Sequence, residues 1–96
     1  GNFLEVDEAL SLGFLNSVVP EDELIATAEK MARRIAAGPP IAIRLAKTMM
    51  RSGMSMDLEN SLEMTAAAEA ITLSSEDHIE GMVAHREKRR PEFKGI

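Results

Sequence analysis

The sequence predicts an all-α fold of about five helices with one short extended segment, and three observations lead there. Apolar side chains recur at helical spacing over most of the 96 residues. Gly13, Pro20, Gly38-Pro39-Pro40, Gly53 and Pro91 fall between those periodic runs or at their ends, and cut them into segments. One stretch, 14–19, is short and β-branched at its end in Val18-Val19, which suits a lone strand or an extended connector stopped by Pro20.

The first helix is expected over 6–12, with Asp7 and Glu8 at its positive end and Gly13 just past its last turn. After the extended segment, a helix over 20–36 opens on a first-turn proline followed by Glu21, Asp22 and Glu23. Leu24, Ala28, Met31, Ala32 and Ile35 form one stripe there, opposite Glu23, Lys30, Arg33 and Arg34, so one face should be buried. The helix expected over 40–52 differs. Ile41, Ala42, Ile43, Leu45, Ala46, Met49 and Met50 cover more than half its circumference and leave Arg44, Lys47 and Arg51 on a narrow wet strip.

Ser55 is the expected N-cap of a helix over 56–73, which carries two apolar stripes: Leu58, Leu62, Ala66 and Leu73 on one side, Met64, Ala67 and Ile71 on the other. Ser74 or Ser75 should cap the last helix, with Glu76, Asp77 and Glu80 near its positive end. Arg86, Lys88, Arg89 and Arg90 lie near its negative end, and Pro91 should stop it. Burying one Leu or Ile side chain stabilises by roughly 1.5–3 kcal/mol, and a bundle this small does not cover helices with two apolar faces. Segments 40–52 and 56–73 are therefore expected to pack on a further N-terminal portion, a second copy, or both.

A net charge of -5 and the absence of Trp and Tyr argue against a nucleic-acid surface, leaving Lys88-Arg89-Arg90 as a local basic run. Without cysteine there are no disulfides, thiolate metal sites or cysteine nucleophiles. No run approaches the roughly 20 apolar residues of a membrane span, and a soluble protein is expected. A chain opening on Gly1 without a capping signal reads as a piece of something longer.

No side chains assemble an obvious nucleophile set, since the serines lie at caps and turns. His78 and His85 lie on one expected helix about 10 Å apart along its axis, too far to share a metal ion. Glu59 and Glu63, at i,i+4, read as solvated charges, and the methionines as core filling. The last helix is more informative. Gly81, His85 and Lys88 share a face opposite Ile79, Val83 and Arg86, and a mid-helix glycine asks for a reason such as close approach by another group. An imidazole and an ammonium on that ledge could stack on a purine and pair with a phosphate; a solvated basic last turn explains them equally well.

Three strings in order resemble the enoyl-CoA hydratase/isomerase (crotonase) family. Residues 7–20 (DEALSLGFLNSVVP) resemble its EA…GLVN.VVP segment, and 35–47 (IAAGPPIAIRLAK) its IA..PP.A….K segment. Residues 75–95 (SEDHIEGMVAHREKRRPEFKG) resemble its SED..EG…F.EKR.P.FKG ending. The resemblance implies that residues 1–96 are the C-terminal helical, oligomerising region of a crotonase-like fold. The N-terminal core of ββα units, with its oxyanion amides and catalytic carboxylates, would then precede this chain, which would be inactive alone. It further implies an acyl-CoA substrate, no cofactor or metal, a trimer or dimer of trimers, and a cytoplasmic location. The family commonly sets an aromatic residue and, three positions later, a lysine near the adenine and phosphates of CoA bound by a neighbouring subunit. Those positions are His85 and Lys88, with histidine in place of the usual Phe. The alternative is a non-catalytic helical self-association or interaction module.

Overall fold

Five α-helices and no strand occupy residues 3–96, the part of the chain that the computed structural model describes. Residues Gly1–Ala32 and Arg33–Ile96 form two separate units, the division falling inside the second helix.

In the first unit, α1 (Val6–Ser11) has Asp7 and Glu8 in its opening turn. Leu12 keeps a right-handed backbone and Gly13 then turns left-handed at φ 78°. The Gly13 N–H donates to the Leu10 carbonyl at 3.1 Å and the Phe14 N–H to the Ala9 carbonyl at 2.9 Å, the paired bonds of a Schellman closure. Segment 14–19 is a connector, with no strand beside it to pair with among the described residues. The helix expected from Pro20 starts instead as a 3-10 turn, Glu21–Glu23, before α2 (Leu24–Ala36). Pro20 is extended at ψ 149°, and its carbonyl takes the Glu23 N–H at 3.0 Å, the tight pattern common at helix entries.

The second unit is built on a helical hairpin. At its entry Gly38 is closely packed: a Cβ there would lie 3.0 Å from Ile43 Cδ1 and 3.3 Å from the Ile35 carbonyl oxygen, so a side chain would push Ile43 aside. Pro40 then opens α3 (Pro40–Gly53), where a missing N–H costs nothing. Residues 54–57 return the chain into α4 (Leu58–Leu73), which packs on α3 along a groove lined by Ala42, Leu45, Met49, Thr65, Ala68 and Thr72. The cap of α4 is Asp57, and Ser55 is not it: Asp57 Oδ1 accepts the Asn60 N–H at 3.0 Å. Ser55 is used up by α3, its N–H and Oγ both donating to the Ser52 carbonyl at 3.0 and 3.1 Å. Finally α5 (Glu76–Glu87) packs against α4.

The helices are where the periodicity puts them, yet the stripes are not covered. Among the described residues only Ala9 and Ala84 are buried apolar side chains, and no large side chain is fully buried. Met50 and Leu58 are each 75 % exposed, and Leu24, Met31, Ile35, Leu62 and Ile71 are exposed as well. Each such side chain forgoes a part, in proportion to its exposure, of the roughly 1.5–3 kcal/mol that full burial contributes.

Candidate functional site

The candidate site grows out of α5 and the tail that follows it. Ser75 caps the helix: its Oγ accepts the His78 N–H at 3.2 Å and donates to the Thr72 carbonyl at 2.7 Å, tying the end of α4 to the start of α5. Two residues on, Asp77 is 3 % exposed, and its carboxylate accepts the N–H groups of Lys94 at 2.7 Å and Gly95 at 2.9 Å. The Glu76 N–H donates to the Ile96 carbonyl at 2.9 Å. The first turn of α5 and the C-terminal tail thus bond both ways: an orphan helix N–H, that of Glu76, donates to the tail, and the Asp77 carboxylate accepts from it. Gly95, at φ 77°, also lies against Pro40, since a Cβ there would meet the proline ring at 3.4 Å.

Further along, Glu80 gathers three donors. Its Oε1 and Oε2 accept Nη1 and Nη2 of Arg89 at 2.6 and 2.8 Å, and Oε1 also accepts the Glu92 N–H at 2.8 Å. Arg89, first, and the Glu92 amide hold the Glu80 carboxyl down to about 2, and the same pair raises Arg89. The aromatic ring of the tail lies over the mid-helix Gly81, where a Cβ would sit 3.7 Å from Phe93 Cε1, an ordinary contact that leaves room for a methyl group. A cleft remains between helix and tail, floored by Ile79 and Val83, with Glu80, Arg89, Glu92 and Lys94 on its walls.

The sequence-based candidates lie at the far end. His85 is exposed on the last turn of α5. Lys88 is exposed too, but not on the helix. It stands in the left-handed region at φ 54° and ψ 36° and ends α5 three residues before Pro91. Its N–H donates to the His85 carbonyl at 3.3 Å, and the Arg89 N–H to the Ala84 carbonyl at 3.0 Å. The shared ledge of Gly81, His85 and Lys88 is therefore corrected on two counts: Phe93 covers Gly81, and the backbone reversal takes Lys88 off the helical face. Among the described residues no ion pair joins Arg86, Lys88 or Arg90 to a carboxylate, whereas Arg89 is claimed by Glu80 and Glu87. An exposed imidazole can stack on an aromatic ligand and an exposed ammonium can pair with a phosphate, the chemistry open to His85 and Lys88.

Sequence reasoning assigned Asp77 and Glu80 to the helix dipole and missed their partners, 17 and 9 residues away. The signal was the tail itself: an aromatic, Phe93, and a glycine, Gly95, after the stop at Pro91. Elsewhere the described residues hold no group of three His, Cys, Asp or Glu side chains placed for a metal ion. No helix is long and apolar enough to cross a membrane.

An all-α chain closed by this clasp has close counterparts among known proteins. The family model described as enoyl-CoA hydratase/isomerase matches residues 1–96, and the chain belongs to that family. The short-chain-enoyl-CoA hydratase of Clostridium acetobutylicum is 36 % identical over 89 residues, 93 % of this chain and 34 % of its own length. The mitochondrial methylglutaconyl-CoA hydratase of Mus musculus is 34 % identical over 96 residues, 96 % of this chain and 31 % of its length. The crystal structure of enoyl-CoA hydratase from Bacillus anthracis superposes with a TM-score of 0.87 at 37 % identity, over 95 % of this chain and 35 % of that one. The chain thus spans about a third of the length of these relatives, and the region it matches is common to hydratases named for different acyl groups.

Proposed function

We propose that residues 1–96 serve as the C-terminal helical, oligomerising region of an acyl-CoA hydratase or isomerase, with Lys88 and His85 meeting the adenine and phosphate end of coenzyme A. The uncovered apolar side chains on α2, α3 and α4 carry this reading, because helices with such faces are built to be packed on. Their partners would be an N-terminal catalytic core and further copies in a trimer or dimer of trimers. The core would stabilise an enolate-like thioester oxygen with paired amides while a carboxylate moves a proton. This chain then supplies no catalytic residue, cofactor or metal, and works in the cytoplasm.

Two measurements on the 96-residue chain test the division of labour. Incubated with crotonyl-CoA, it should leave the conjugated enone absorbance unchanged, and turnover would place catalytic groups within it. In sedimentation at micromolar concentration it should self-associate. A well-folded monomer that binds no apolar dye would remove the packing role.

A further inference from the structure

Lys88 holds a backbone conformation that glycine adopts freely and a lysine does not, since at φ 54° its Cβ crowds the carbonyl that follows. The turn is nevertheless pinned on both sides. Arg89, the next residue, donates from Nε to Glu87 Oε2 at 2.7 Å, so the two neighbours of Lys88 are tied to each other. The same guanidinium reaches nine residues back and meets both oxygens of Glu80 at 2.6 and 2.8 Å, anchoring the turn to the middle of α5. Glu80 Oε1 also accepts the Glu92 N–H at 2.8 Å, so the chain leaving the turn is held by the same carboxylate. Within this scaffold Lys88 is the exposed apex, with no ion pair to a carboxylate among the described residues.

We propose that Glu80 is a positioning residue for Lys88: its two-pronged pair with Arg89 fixes the left-handed turn and thereby presents the Lys88 ammonium to the phosphates of a coenzyme A thioester. This rests on the reading of Lys88 given above. When the pair is lost, the backbone at Lys88 relaxes towards the right-handed region and α5 runs on. The ammonium then samples a wider arc, and the ligand has to order it on binding. Glu80 touches no ligand in this scheme and acts only through the turn.

A double-mutant cycle separates the two claims. Free coenzyme A is titrated calorimetrically into the protein that carries this chain, as the parent, Glu80→Gln, Lys88→Gly and the double variant. Lys88→Gly keeps the turn and removes the ammonium, and should weaken binding about fivefold, the upper range of an exposed charged contact. Glu80→Gln should weaken it about threefold, with no further loss in the double variant beyond that of Lys88→Gly. A Glu80→Gln loss that persists without Lys88, or no loss where Lys88→Gly shows one, overturns the positioning role and leaves the Lys88 contact standing. Unchanged affinity in Lys88→Gly overturns the contact and the positioning role together. Arg89→Gln breaks the same pair from its other end and should reproduce the coupling, which keeps the test decisive if Glu80→Gln folds poorly.

Discussion

Two helices of this chain end in the same way with different residues. At the end of α1 the left-handed position is Gly13, at φ 78°, with nothing within 4 Å of where a Cβ would stand. At the end of α5 the equivalent position is Lys88, at φ 54°, and the same two backbone bonds close the helix. Glycine needs no help there. The lysine is accompanied by Glu80, Glu87 and Arg89, which cross-link the residues around it. Where the hydrogen-bond pattern alone shapes a turn, the cheapest residue fills it. A costlier residue held in place by its neighbours points to a side chain that is needed.

The comparison breaks first at the clasp that α1 lacks. Asp77→Ala leaves the Lys94 and Gly95 N–H groups without their acceptor at a site that is 3 % exposed. The expected loss is about 2–3 kcal/mol, read as a lower denaturant midpoint together with faster amide exchange in 93–96. Next in size is Gly13→Ala, a loss of about 1 kcal/mol that comes from backbone conformation alone, since the new methyl meets nothing. Lys88→Gly runs the same substitution backwards and should add about 0.5–1 kcal/mol of stability, read as a higher midpoint. A fall would mean that the Lys88 side chain itself stabilises the turn.

Acid sharpens the contrast further. Glu80 has its carboxyl lowered from 4.5 to about 2 in the folded chain. A lowered folded value means that its stabilisation is complete above about 4.5 and is lost as pH falls towards about 2. Glu80→Gln should flatten the acid-unfolding curve in that window. Asp57, whose carboxyl the Asn60 amide also lowers, should leave part of the slope in place. A curve unchanged by Glu80→Gln would mean that the Arg89 pair contributes nothing in solution.

Much of the fold was legible because helix existence is a local property. Period, prolines and glycines placed all five helices, and Gly13 marked the close of α1. What escaped is set by partners distant in sequence. α5 stops at Glu87 with Lys88 left-handed, before the proline that looked like its terminator, and Arg89 just past that turn pairs with Glu80, nine residues back. The burial of Asp77 depends on a tail 17 residues on, and a carboxylate in a first helical turn reads from sequence as a dipole partner. Ser55 was the expected cap of α4, but α3 runs on through Gly53 and Ser55 bonds back to Ser52, so the cap falls to Asp57. The candidate site was legible as two residue types, His85 and Lys88, but not as a geometry, because a periodic wheel cannot show that Lys88 leaves the helix.

One titration bears most directly on the central claim that Lys88 stands where it does for a ligand. Acetyl-CoA, which carries no double bond to be hydrated, is titrated into the Lys88→Gly form of the protein that contains this chain. Binding about fivefold weaker in a protein at least as stable as the parent is the expected result; undiminished affinity would contradict the claim and leave Lys88 a solvated charge on a costly turn.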